Sequence, residues 1–123
     1  MFADPQTLTV NAVAKVLNRI GTGQGSSEYL LRSSTEEFRL NIRNTSYTDK
    51  KRGVIIDRHN VEFVHTVFAV APATLSSVRK SYVVIENQRG DTLTDPTYVA
   101  SALCSWLVAS TNANITKLMN YES

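Results

Sequence analysis

The chain has 123 residues, enough for one domain with a modest core and too few for two. Its 42% hydrophobic and 20% charged content excludes collagen-like, low-complexity and wholly disordered classes, and its single cysteine excludes an internal disulfide framework, which makes a reducing compartment the simplest setting. The net charge of +2 says little as a sum, but residues 39–80 hold eight Lys or Arg against three acids. That concentration is either a solvated surface or a face for an anionic partner such as nucleic acid.

In chain order, residues 7–10 and 13–20 read as two short strands joined at Asn11-Ala12, an N-terminal β-hairpin. Residues 21–27 carry three of the five glycines and read as a flexible loop. No Lys-Ser or Lys-Thr comes after them, so they are not expected to cradle phosphate. Residues 28–32 form a further short strand and 38–47 a longer one. In the latter, Phe38, Leu40 and Ile42 alternate with Arg39, Asn41 and Arg43, so a strand must present the three polar side chains on one surface. Thr48-Asp49-Lys50-Lys51-Arg52-Gly53 is a hairpin turn ending in glycine. Residues 54–68 return as a long strand with Val61 and Phe63 inward, although Val54, Ile55 and Ile56 run together without alternation. Pro72 ends the strand pattern, leaving a loop at 69–77. The last strand, 78–87, puts Val83 and Ile85 on one face and Lys80, Tyr82, Val84 and Glu86 on the other.

Near Asp91 the hydrophobic period changes from two to between three and four. Asp95-Pro96 reads as an N-cap acid followed by proline at the first helical position. Val99, Ala102, Leu103, Trp106 and Leu107 then make one apolar stripe. Ser110-Thr111-Asn112 breaks the helix, and Asn112 is placed to cap a second one carrying Ile115, Leu118 and Met119. The fold expected is therefore α+β: one domain over 1–123, with hairpin and antiparallel meander sheet in 1–90 and two C-terminal helices in 91–123. A first helix of about 14 residues is about 21 Å long. It covers only part of a sheet of five or more strands spaced about 4.8 Å apart, which favours a second subunit supplying cover.

Catalytic patterns do not emerge. His59 and His65 share a strand face but are about 20 Å apart along it, too far to share a metal. Both fall in line with Val61 and Phe63, as partly buried or strand-end histidines do. Cys104 near the apolar stripe reads as a small inert core residue. No nucleophile elbow or His-Glu-x-x-His is present. No enzyme activity, metal or cofactor is expected. The longest apolar runs, such as 67–72, fall far short of a membrane span of about 20 residues, and Met1-Phe2-Ala3-Asp4-Pro5 lacks the marks of a secretory signal.

Three stretches carry a resemblance: Ser77-Val78-Arg79-Lys80-Ser81-Tyr82-Val83-Val84-Ile85-Glu86, residues 95–107, and Asn114-Ile115-Thr116-Lys117-Leu118. With Ala3-Asp4-Pro5-Gln6-Thr7 and the order of elements, the chain resembles the coat proteins of single-stranded RNA bacteriophages, the levivirus group, from end to end. The resemblance implies an interlocked homodimer with one continuous sheet, each chain's helices packing over its partner through Val99, Leu103, Trp106 and Leu107. It implies dimers assembling into an icosahedral virion capsid in the bacterial host cytoplasm, with the loop at 69–77 contacting neighbours around the symmetry axes. It also implies that the inner sheet face binds single-stranded genomic RNA, often a hairpin whose capture represses translation.

By the same resemblance the RNA contacts fall on Arg39, Asn41, Arg43 and Thr45 of one strand, Asn60 and Glu62 of the next, and Tyr82 and Glu86 of the last. Arginines suit phosphates, Asn suits base edges, and Tyr82 suits stacking on an unpaired base. Val84 departs from the family by placing an apolar residue where a polar one is usual. The turn at 48–53 is longer and more basic than usual, so Lys50, Lys51 and Arg52 either extend RNA contact or form a solvated turn. The alternative to a capsid subunit is a small dimeric RNA-binding regulator that forms no shell.

Overall fold

The computed structural model describes residues 1–123 as six strands followed by one helical element: β1 (Gln6–Val10), β2 (Val13–Gly23), β3 (Ser26–Arg32), β4 (Glu36–Asp49), β5 (Val54–Val67), β6 (Ser77–Gln88) and α1 (Thr94–Met119). Every strand pairs antiparallel with its sequence neighbours, giving a sheet in the order β1-β2-β3-β4-β5-β6. Such a meander needs only short connections, and the turn residues supply them. Asn11 and Ala12 both have positive φ (49° and 62°), as in the type I′ turn whose twist matches that of the flanking strands. The flexible loop expected over 21–27 is instead a tight hairpin, because β2 extends to Gly23 and β3 begins at Ser26. Gly25, at φ 73°, makes this possible, and a side chain there would also meet the Asn44 carbonyl oxygen at 3.2 Å. The β4–β5 hairpin is paired at every position from Glu36 opposite Val67 to Asp49 opposite Val54.

The core lies on the apolar face of β3 and β4. Leu17 and Tyr29 are fully buried, and Phe38, Leu40 and Ile42 nearly so, with Leu8, Val10, Leu31 and Phe63 packed around them. Leu8, Val10 and Leu17 belong to β1 and β2, so the N-terminal hairpin lies over this face as well as continuing the sheet. The register of β2 shifts between Arg19 and Gly21, a bulge that lets the strand bend there. Lys15 of β2 reaches the Phe38 ring of β4, with Nζ 5.0 Å from its centroid. His65 stacks on the other side of this cluster, 4.2 Å from Phe38 between ring centroids, and bonds Glu36 Oε2 through Nε2 at 2.8 Å. His59 bridges Asn44 and Asn87. Leu17→Ala is expected to cost about 2–5 kcal/mol, because the hairpin above it cannot collapse into the space without losing its grip on Phe38. Urea unfolding followed by circular dichroism measures the shift.

Beyond the hairpin the same face is open: Val61 on β5 is 38% exposed, and Phe63, Val83 and Ile85 are only partly covered. Of the consecutive apolar residues, Ile55 is 40% exposed on this side, while Ile56 is buried on the opposite one, in a row with Tyr47 and Gln88.

The helical region differs from expectation at both its start and its break. Asp95 is not the N-cap: helix begins at Thr94, the Thr92 hydroxyl accepts from the Asp95 N–H at 3.2 Å, and it donates to Asp95 Oδ2 at 2.6 Å. Asp95 therefore sits in the first turn, where its charge suits the positive end of the helix. Pro96 remains in that first turn, where a missing N–H leaves no bond unmade. The region is one element to Met119, but its backbone leaves helical geometry at Ala109 (ψ 147°) and turns left-handed at Ser110, Thr111 and Asn112. The interruption lies where the Ser-Thr-Asn run predicts it. Asn112, at φ 64°, belongs to the break itself, and its carbonyl oxygen accepts from the Thr116 hydroxyl at 3.1 Å.

No residue of α1 is buried, and the strand it lies against is β6. Val99, Leu103 and Trp106 are 74%, 55% and 54% exposed, and Leu107 is partly covered. Cys104, expected in a core, is exposed on the same helix and lines a cavity of about 510 Å³ between α1 and the β5–β6 face.

Candidate functional site

The opposite, polar face of the sheet is built by strand alternation, and pairing fixes which side chains meet. Directly opposed residues point to the same side of a sheet. One row across β4, β5 and β6 is Arg39, Val64, Lys80; the next is Asn41, Glu62, Tyr82; then Arg43, Asn60, Val84; then Thr45, Arg58, Glu86; then Tyr47, Ile56, Gln88. On β3, Leu30, Glu28 and Ser26 extend the first three rows. All eight polar residues singled out in the sequence, Arg39, Asn41, Arg43, Thr45, Asn60, Glu62, Tyr82 and Glu86, thus share one surface. Tyr82 is 63% exposed there, with its ring open to a planar partner.

Sequence reasoning left Arg58 and Tyr47 out of this surface, and placed Lys80 on the face without counting it as a site residue. Alternation contains the signal for all three, since Arg58 has the parity of Asn60 and Tyr47 that of Thr45. Arg79, counted in the basic stretch, points to the other side, where Nη1 lies 3.1 Å from Nδ1 of His65.

The face is far less basic than the charge run suggested. Its arginines are engaged by carboxylates on the same surface. Arg39 binds Glu28 and lies 3.8 Å from Glu37, Arg43 lies 3.7 Å from Glu62, Arg58 lies 3.8 Å from Glu86, and Arg32 binds Glu37 at 2.6 Å. The Tyr47 hydroxyl donates to Glu86 Oε2 at 3.1 Å, and that bond raises the phenol's pKa above its ordinary value. Across β3–β6, Arg32, Arg39, Arg43, Arg58 and Lys80 are thus set against Glu28, Glu37, Glu62 and Glu86. Pairs this exposed contribute about 0.2–1 kcal/mol each and are easily exchanged. Beside them, the Asn60 amide oxygen is buried without a donor, an arrangement that costs about 1–3 kcal/mol until a donor reaches it.

Apart from Arg79, the other cations of residues 39–80 stand at the β4–β5 turn. Asp49 organises it, accepting from the backbone N–H groups of Lys51 and Arg52 at 3.1 and 3.3 Å and from Arg52 Nε at 3.1 Å. The Arg52 side-chain bond is the main reason the Asp49 carboxyl is held below its usual pKa. Lys50 and Lys51 are left pointing to solvent.

The molecule is thus a two-faced meander with a helix that has no core of its own and a polar face of arginine, asparagine and tyrosine. Residues 3–88 match the family model of the phage phiCb5 coat protein. The chain belongs to that family of phage coat proteins. Its solved structural neighbours agree in fold. The virus-like particle of Beihai levi-like virus 21 superposes with a TM-score of 0.77 at 11% identity, over 100% of this chain and 98% of that one. The particle of bacteriophage AVE019 gives 0.58 at 12% over 89% and 90%, and that of Wenzhou levi-like virus 1 gives 0.54 at 18% over 93% and 94%. No curated protein sequence matches the coat protein. Identities this low carry the fold and not the contacts, so the roles of the coat protein's surfaces must come from its own residues.

Proposed function

We propose that this coat protein forms an interlocked homodimer, that dimers assemble into an icosahedral shell in the host cytoplasm, and that the polar sheet face packages single-stranded RNA. The observation that carries the reading is that α1 buries none of its residues while exposing Val99, Leu103 and Trp106. A helix with that much uncovered apolar surface needs a partner. The complementary surface is present in the same chain: the open β5–β6 face around Val61 and Val83, and the unpaired edge of β6, twelve residues long. Joining two β6 edges removes an exposed edge, extends one sheet across both chains and brings each helix over its partner's open face. The RNA role rests on the common surface of Arg39, Asn41, Arg43, Thr45, Asn60, Glu62, Tyr82 and Glu86, which on this reading faces the interior. Capture of a hairpin there would also serve translational repression.

Electron microscopy of the expressed protein, with extraction of any enclosed nucleic acid, tests the whole. Closed particles containing RNA are the expected result. Small soluble dimers under assembly conditions would instead favour an RNA-binding regulator, and empty particles would remove the RNA role.

A further inference from the structure

We infer that Glu62 and Glu86, with Glu28 and Glu37 behind them, act as a built-in brake on indiscriminate RNA binding, holding the arginines of the sheet face until a correctly placed phosphate displaces them. This rests on the reading of that face as an RNA surface and gives its carboxylates a selective role beyond contact, repelling misplaced phosphates.

Three features of the surface support it. First, the carboxylates are interleaved with the cations rather than gathered at a rim. Arg43 is 3.7 Å from Glu62 and Arg58 is 3.8 Å from Glu86, each pair bridging adjacent strands. Five cations set against four carboxylates leave little net field to draw polyanions in from a distance. Second, the groups suited to reading bases are flanked by acids. Asn41 lies between Glu28 and Glu62 in its row, and Tyr82 lies beside Glu62. A phosphate laid across those positions at random meets negative charge, whereas the amino group of a base meets an acceptor. Third, the pairs are exposed and therefore exchangeable. The Arg43 side chain is 55% accessible while that of Glu62 is 17%, so the arginine can turn outward to a phosphate while the carboxylate stays in the sheet.

The consequence is a surface whose affinity for arbitrary RNA is low because its arginines are already paired. An RNA that seats bases at Asn41 and Tyr82 brings phosphates close enough to win the exchange.

The test uses full-length, unassembled coat protein and poly(U) as the sequence-neutral probe, with binding followed by fluorescence anisotropy between about 50 and 200 mM salt. Glu62→Gln and Glu86→Gln keep side-chain size and remove the competing charge. Together they are expected to tighten poly(U) binding roughly tenfold at the lowest salt. Two arginines per chain become free for phosphate, so the plot of log affinity against log salt should steepen by about 1.4. Glu122→Gln removes one negative charge outside the sheet and is expected to leave the slope unchanged. The brake is overturned if wild type binds poly(U) with the same slope as the double variant, or if Glu122→Gln acts as strongly as Glu62→Gln. Absence of binding by every form at the lowest salt would overturn the RNA reading itself, and the brake with it.

Discussion

Trp106→Ala is expected to abolish particle formation while leaving the six-stranded sheet folded. The indole stands 54% exposed on α1, on the same stripe as Val99 and Leu103, and its own chain covers less than half of it. Its removal therefore leaves intact the core of the isolated subunit, which is built from Leu17, Tyr29, Phe38, Leu40 and Ile42. In the proposed dimer the position changes. An aromatic side chain of this size buries about 150–250 Å² when covered, and truncating a buried Trp costs about 3–5 kcal/mol. Two symmetric copies double that loss to about 6–10 kcal/mol per dimer, which corresponds to at least a ten-thousandfold weaker association. Sedimentation velocity should show monomers where wild type gives dimers or particles, with unchanged strand content by far-ultraviolet circular dichroism. Normal particles from the variant would mean that α1 does not supply the intersubunit cover.

How much of this was legible in the sequence depended on which residues carried the signal. Phe38-Arg39-Leu40-Asn41-Ile42-Arg43 separates its faces cleanly, and strand pairing carries that parity across β3, β5 and β6, with Leu30, Val64, Val84 and Ile56 as apolar interruptions of the polar face. The meander was legible for the same reason. What alternation does not encode is distance between strands. It could not show that Arg43 reaches Glu62, or Arg58 Glu86, since each carboxylate is close only through the register of a neighbouring strand. The charge run over residues 39–80 therefore looked like a basic face, when Lys50, Lys51 and Arg52 sit at the turn and Arg79 on the far side. The glycines of residues 21–27 misled in another way. Their density suggested a loop, but a single left-handed glycine is enough for a two-residue turn, and the others continue as strand. At the helix start, Asp95-Pro96 gave a good local pattern that lost to Thr92, whose hydroxyl reaches the Asp95 N–H from three residues back. Cys104, next to the apolar stripe in sequence, reads as a core residue but is exposed. Spacing identifies an apolar stripe but not which chain buries it.

Arg43→Ala and Tyr82→Ala are both expected to weaken RNA binding, and they should do so in ways that salt distinguishes. Tyr82 is 63% exposed in the row with Asn41 and Glu62, so its proposed contribution is a stacking surface for an unpaired base. Stacking on an aromatic side chain contributes about 1–3 kcal/mol per base, so the alanine variant should lose roughly 5- to 150-fold in affinity with an unaltered salt slope. Arg43 acts through charge. For an RNA whose phosphate has displaced Glu62 from Arg43, losing that contact should flatten the slope by about 0.7 for a single strand. The same substitution strips Glu62 of its partner and leaves a carboxylate free on the binding face, so the loss at low salt should exceed that of a single contact. Adding Glu62→Gln to Arg43→Ala should recover part of the affinity without restoring the slope, because repulsion is relieved while the phosphate contact stays absent. Equal affinity for wild type, Arg43→Ala and Tyr82→Ala at fixed salt would contradict the assignment of this face to RNA. A Tyr82→Ala slope that changes as much as that of Arg43→Ala would contradict the division between a stacking residue and a phosphate residue.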